Sequence, residues 1–322
     1  MTKSAPEPLP PLGLVLLAGV SLVWGLGWPV MKTALGEMQP CSFRTLSLVL
    51  GGVGILAAMR VRGMSLTIPK GEFRPLLLVA LLNVTGWNLF SAYGIAQMKA
   101  GAASIIAFTM PAWATILSRL VLGEPLTLAK FLGVGLGIGG LAVLVGPDLS
   151  ALSSAPVGAL LMLAAAISWA AGSVLLKYYS WSMSTVSLTG WQLLLGSVPV
   201  ILGTLLLEPV TALFHLTGKA MWAVAYVTLL GIIGGYIAWI KIVQLFPVSL
   251  ASVGTLVIPV IGVFSSALFL GEPLGSRELV ALFLVVAGIA VVLLRPSFFR
   301  PKSPCPPFTR GGLGGSSEPY SG

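Results

Sequence analysis

Apolar residues run along this chain in blocks of about twenty, too long for the strands or amphipathic helices of a soluble core. Short polar or Gly/Pro-rich breaks separate the blocks. Read against the length needed to cross a hydrocarbon layer, they predict ten helices. The first five cover 12–34, 41–60, 74–95, 100–121 and 127–146, and the second five cover 156–178, 185–206, 220–243, 249–270 and 276–295. At membrane depth a helix satisfies its own backbone groups, so strands are not an alternative.

The blocks repeat. Residues 111–145 and 259–293 align without a gap, 148 positions apart, with 12 of 35 identical. Their shared centre is Leu122-Gly123-Glu124-Pro125-Leu126 against Leu270-Gly271-Glu272-Pro273-Leu274. Upstream, Trp24, Gly27 and Lys32 recur as Trp169, Gly172 and Lys177, 145 positions apart. An odd number of spans per copy makes the second copy enter the membrane upside down. The expected fold is therefore an all-α membrane protein with ten transmembrane helices as two inverted five-helix repeats. The expected organisation is a segment at 1–11, repeats at 12–146 and 156–295, a linker at 147–155 and a disordered Pro/Gly/Ser-rich tail at 296–322. The first apolar run is read as a retained span, not a cleaved leader.

Composition agrees. The 322 residues are 57% hydrophobic and 8% charged, against about 25% charged in soluble domains. The net charge of +9 would suggest nucleic acid in a soluble chain, but the basic residues lie at span boundaries and in the tail. With both termini cytoplasmic, 13 of the 18 Lys and Arg residues fall inside, the orientation expected in a cytoplasmic (inner) membrane. Cys41 and Cys305 are placed on opposite sides, so no disulfide and no metal site is expected, and no cofactor.

The carrying motifs are Leu22-Val23-Trp24-Gly25 with Trp28-Pro29 and Lys32, Ala103-Ser104 through Pro111, Ala251-Ser252 through Pro259, and the two Leu-Gly-Glu-Pro-Leu segments. With these, residues 12–295 resemble the drug/metabolite transporter superfamily, in its EamA-type branch of ten-helix exporters. The resemblance implies a carrier that moves amino acids and related small metabolites out of the cytoplasm. The second copy departs from the first-helix pattern, with Ala171-Gly172-Ser173 facing Leu26-Gly27-Trp28.

Candidate site residues follow from depth. Trp24, Trp113 and Trp169 are read as pocket walls, joined by Trp87 and Tyr236. Asn83 and Asn88 either join the pocket or bridge helices, and both readings stay open. Trp28, Trp181, Trp191 and Trp222, near span ends, are read as interfacial anchors or packing residues. Pro111 and Pro259 interrupt the fourth and ninth helices, either as paired hinges beside the substrate path or as static kinks. Gly123, Glu124, Pro125, Gly271, Glu272 and Pro273 are read as tight-turn chemistry: a left-handed glycine, then an acid and a proline starting the next helix. Lys32 and Lys177 are expected to snorkel to headgroups, with gating contacts as the alternative, and Arg44 is placed near a surface. The glycines at 133–140 are read as a packing face within the monomer, with a dimer left open. All nine acids lie in predicted loops, span ends or tails, so no mid-membrane proton relay is visible.

Three functions compete. The leading one is an alternating-access exporter of small organic metabolites, above all neutral or aromatic amino acids. The alternative is an importer or antiporter of sugars or phosphorylated metabolites, which would want several deep cations. A membrane-embedded enzyme has no support, because there is no deep acid pair and no nucleophile beside a base. The expected partners are a small-molecule substrate and the lipid bilayer, with no nucleic acid.

Overall fold

A computed structural model describes residues 11–123, 128–145, 156–209, 216–245 and 257–293. These form ten helices and no strand. The first repeat contains α1 (Pro11–Leu35), α2 (Pro40–Val61), α3 (Phe73–Gln97), α4 (Ala100–Leu122) and α5 (Leu128–Val145). The second contains α6 (Pro156–Tyr178), α7 (Thr185–Leu207), α8, α9 (Val257–Leu270) and α10 (Ser276–Leu293). Helix α8 runs through Gly218–Tyr226, Val227–Gly234 and Gly235–Leu245. Helices α1 to α4 and α6 to α8 each include a stretch long and apolar enough to cross a bilayer. Glu124, Pro125 and the 147–155 and 296–322 segments lie outside the described residues.

Turn chemistry sets several helix ends. Pro40 opens α2 after an extended Gln39, and Ser184 and Thr217 cap α7 and α8 by accepting from Ser187 N–H and Ala220 N–H. Gly123 and Gly271, repeat equivalents, end α4 and α9 at φ of 68° and 65°, a region a side chain disfavours.

The repeats are interlocked, and their symmetry is legible in one interface. A Cβ on Gly140 of α5 would meet Ala281 O, Leu284 and Val285 of α10. A Cβ on Gly288 of α10 would meet Gly133 O, Leu136 and Gly137 of α5. Adding 148 to the second set gives the first, the reciprocity a twofold axis imposes. The glycine face at 133–140 thus packs inside the monomer through Gly133, Gly137 and Gly140. Elsewhere α1 packs against α8 and α9, α6 against α3 and α4, and α2 against α7, so each repeat is completed by the other.

Carboxylates bind the repeats together at both ends. Glu208, after α7, accepts from Cys41 N–H and Ser42 N–H at the start of α2, at 2.8 and 2.7 Å. Glu272, after α9, accepts from Ala100 N–H and Gly101 N–H at the start of α4, at 2.7 and 3.0 Å. Here the structure corrects the turn reading: Glu272 serves a helix of the other repeat, not the helix that follows it. These negative charges sit where unpaired N–H groups and the helix dipole favour them. Glu272→Ala is expected to destabilise the folded protein by about 1–2 kcal/mol, with Glu272→Gln intermediate, in unfolding experiments in detergent.

At the opposite end Glu72 accepts from Ser182 N–H and Oγ, at 2.8 and 2.5 Å. Burial pushes the Glu72 carboxyl up, but these bonds and the Met183 N–H outweigh it and hold the group below its usual range. A depressed carboxyl stabilises the fold above its unfolded pKa, and that contribution is lost as pH falls through the folded value. Glu72→Gln is therefore expected to lower the neutral plateau of a melting-temperature profile slightly while leaving its acid end unchanged, so that the acid limb below about pH 4, the ordinary carboxylate range, is flatter.

Candidate functional site

Midway along α3 and α8 the helix widens into π turns, at Leu81–Gly86 and Val227–Gly234. Residues 81–86 map onto 229–234 at the repeat spacing, so the two irregularities are one feature seen twice. Such turns concentrate at functional sites. Each offers a carbonyl to the other repeat. Trp24 Nε1 of α1 donates to Gly231 O at 3.0 Å, and Ser168 Oγ of α6 donates to Leu82 O at 2.7 Å.

Aromatic rings gather on these turns. Trp24 and Trp169 meet edge to face with centroids 6.5 Å apart. Trp169 also meets Trp87 at 5.2 Å and Tyr236 at 5.6 Å, and Trp24 meets Tyr236 at 6.4 Å and Trp239 at 5.9 Å. Edge-to-face and tilted pairs at these separations suit the ring quadrupoles. Trp24 and Trp169 are repeat equivalents in contact, and so are Tyr236 and Asn88, whose side chains hydrogen-bond. Two symmetry-related groups touch only beside their axis. The cluster therefore lies on the pseudo-twofold axis, where the two repeats meet.

The five rings are half-buried, although they sit midway along their helices. Gly27 is buried, yet a Cβ added to it would have nothing within 4 Å. There is thus room beside α1 next to Trp24. At its equivalent, Gly172, the space is taken: a Cβ would collide with Asn83 Oδ1 and come within 3.0 Å of Asn83 N. Asn83 Oδ1 is buried without a hydrogen-bond partner. Asn88 Nδ2 donates to Val84 O at 2.8 Å, inside its own helix.

The structure thus brings together Trp24, Trp87, Trp169, Tyr236 and Asn88, with Asn83 against α6 on the same side of α3 as Trp87. It leaves Trp113 out. Among the described residues that ring pairs with none of the cluster's rings, and its Nε1 donates to Thr109 Oγ1 at 3.2 Å. Helix α4 breaks just before it. Its halves, Ala100–Ala107 and Met110–Leu122, are separated by Phe108 and Thr109, and Pro111 falls in the first turn of the second half. Pro259 is buried in the first turn of α9 as described, at the matching position. Trp239 of α8 also belongs to the cluster; its spacing of three from Tyr236 puts both on one helix face.

Of the readings given for Trp28, packing is the one the structure has: it is a buried core residue, 3% exposed, packed with Ile95, Ala103 and Ile258. Two further expectations are corrected. Lys32 does not snorkel: its Nζ donates to Ile95 O, Ala96 O and Met98 O, at 2.7, 3.1 and 2.8 Å, and so caps the C-terminal end of α3. Arg44 does not lie at a surface but is buried, 3% exposed, between α1 and α3. Among the described residues the acids Glu37, Glu72, Glu208, Glu272 and Glu278 stand at helix ends or in the turns between helices.

An inverted pair of helical repeats, with π turns and an aromatic cluster on their axis, defines a multi-pass membrane transporter. The EamA-like transporter family model matches residues 11–146 and again 156–294. The chain belongs to that family. It is 31% identical over 281 residues to the uncharacterised transporter YvbV of Bacillus subtilis, covering 86% of this chain and 90% of that one. It is 26% identical over 279 residues to YoaV of the same species, covering 86% and 94%. It is 29% identical over 287 residues to a probable amino-acid metabolite efflux pump of Salmonella typhimurium, covering 84% and 91%. A solved crystal structure superposes with a TM-score of 0.65 at 20% identity, covering 88% of this chain and 96% of that one, which shows the fold.

Proposed function

We propose that this transporter exports neutral or aromatic amino acids and related small metabolites by alternating access, with the axial aromatic cluster as the substrate site. The observation that carries this reading is the position of Trp24, Trp169, Asn88 and Tyr236 on the pseudo-twofold axis. A site on that axis keeps equivalent walls when the repeats rock, so it can face either side in turn. Aromatic walls with few polar atoms suit an apolar or aromatic side chain. The break in α4 before Pro111 and the two π turns give the rocking segments places to bend. Export, both termini in the cytoplasm and an inner-membrane location rest on the positive-inside pattern and on relatives named as efflux pumps. With the described acids at the helix ends, facilitated diffusion or coupling through another group fits better than a carboxylate proton relay.

The test is uptake of labelled phenylalanine and leucine by inside-out vesicles carrying the protein, with and without an imposed pH gradient. Saturable uptake beyond that of protein-free vesicles is expected. Uptake of neither by folded protein contradicts the substrate class.

A further inference from the structure

Arg44 is a buried charge that no carboxylate pairs among the described residues; its guanidinium carbon lies 5.1 Å from the centroid of the Phe43 ring. It lies in the second turn of α2 and is 3% exposed. Its Nη2 donates to Ser91 Oγ at 3.0 Å and toward Met31 Sδ at 3.3 Å, a weak acceptor. Its Nε–H is buried with no acceptor. It forms no ion pair among the described residues. Lys32, one helix away, shows what a structural cation looks like here, with three carbonyls for its three protons. An unpaired guanidinium out of water costs several kcal/mol, and an ionisable side chain at such depth marks a ligand path more often than packing.

The orphaned edge has a shape. Nε and Nη2 form the side-on fork of a guanidinium, which matches the two oxygens of one carboxylate. Met31, a flexible thioether, is what a carboxylate oxygen would displace from it. The fork is also wired to the aromatic cluster. Ser91 Oγ lies 3.4 Å from Asn88 O, the Asn88 side chain bonds the Tyr236 hydroxyl, and Arg44 is within electrostatic reach of Tyr236.

We infer that Arg44 is the anchor for the substrate's carboxylate, and that the site selects amphipathic monocarboxylates: carboxylate on the Arg44 fork, apolar body against the tryptophans. This deepens the amino-acid reading above and rests on it for the transport cycle. One guanidinium fork matches one negative charge; a phosphate dianion calls for several cations, and Lys32 is already spent on carbonyls. Arg44 is covered in this structure, so the contact forms when the end at which α2 begins opens.

Two assays on purified full-length protein test the inference. In proteoliposomes, phenylalaninamide is expected to compete with labelled phenylalanine at least about tenfold more weakly than phenylalanine itself, because the amide leaves the fork unpaired. Arg44→Gln removes that preference. Arg44→Lys keeps the charge without the fork, and is expected to fold and to retain only part of it. The second assay is thermal stabilisation by indole-3-acetate against indole-3-acetamide and inorganic phosphate, which needs no transport. Stabilisation by the acetate alone, lost in Arg44→Gln, is expected. Phenylalanine transport with equal competition by its amide in the wild type would overturn the inference and leave the transporter reading standing. Absent phenylalanine transport, with acetate-selective stabilisation that needs Arg44, would keep the anchor and sink the amino-acid reading. No preference for carboxylate in either assay would sink the anchor whatever the variants do.

Discussion

Trp169→Ala is expected to reduce transport by at least about a hundredfold, because this ring, like Trp24, touches three of the other four in the cluster. The truncation opens a space the size of an indole, and such deletions destabilise by about 3–5 kcal/mol. Loss of activity must therefore be separated from loss of fold. Trp169→Phe keeps an aromatic face and is expected to fold normally while transporting more slowly. Trp222→Ala is the control, since Trp222 is 61% exposed and outside the cluster. Initial rates normalised to folded protein, measured by size exclusion and melting, check this. Trp169→Ala with near wild-type rates would remove the cluster from the substrate path.

The second large effect is structural and turns on a pair of repeat equivalents that ought to behave alike by sequence. Gly172→Val is expected to destabilise by about 3 kcal/mol or more, because its side chain meets the backbone of Asn83 as well as Oδ1, and backbone cannot rotate away. Gly27→Ala is expected to be neutral or to stabilise by up to about 1 kcal/mol, since the methyl enters open space and alanine favours helix. The same substitution narrows the space beside Trp24, so slower transport by a protein that melts no lower is the expected signature. Paired melting curves and initial rates decide it. Equal tolerance at both positions would mean that the room beside α1 is not there.

Much of this architecture is written openly in the chain. Ten apolar runs, the 148-residue spacing and the duplicated Gly-Glu-Pro imply inverted repeats, because membrane helices advertise themselves by length and composition. Gly123 and Gly271 are legible for the same reason, as glycines directly after long apolar runs. Other features leave no local trace. The π turns at Leu81–Gly86 and Val227–Gly234 carry no signature that sets them apart from an α-helical turn with a few weak helix formers. Arg44 looks like a headgroup residue because it stands near a helix start; what turns it inward is Ser91, a contact from 47 positions away. Glu272 reads as part of its own turn, yet its partners are 171 and 172 residues distant. Trp24 and Trp28 share one helix and one residue type. Only the neighbours of α1 make one a cluster residue and the other core.

The substrate site on the repeat axis is tested most directly by uptake into proteoliposomes. The protein would be wild type or a folded Trp24→Phe/Trp169→Phe variant, supplied with a mixture of labelled amino acids. Saturable uptake of neutral or aromatic amino acids by the wild type, with affinity or rate lowered at least about tenfold in the variant, is the predicted result. Saturable uptake that the double substitution leaves unchanged would contradict it and move the site away from the axis.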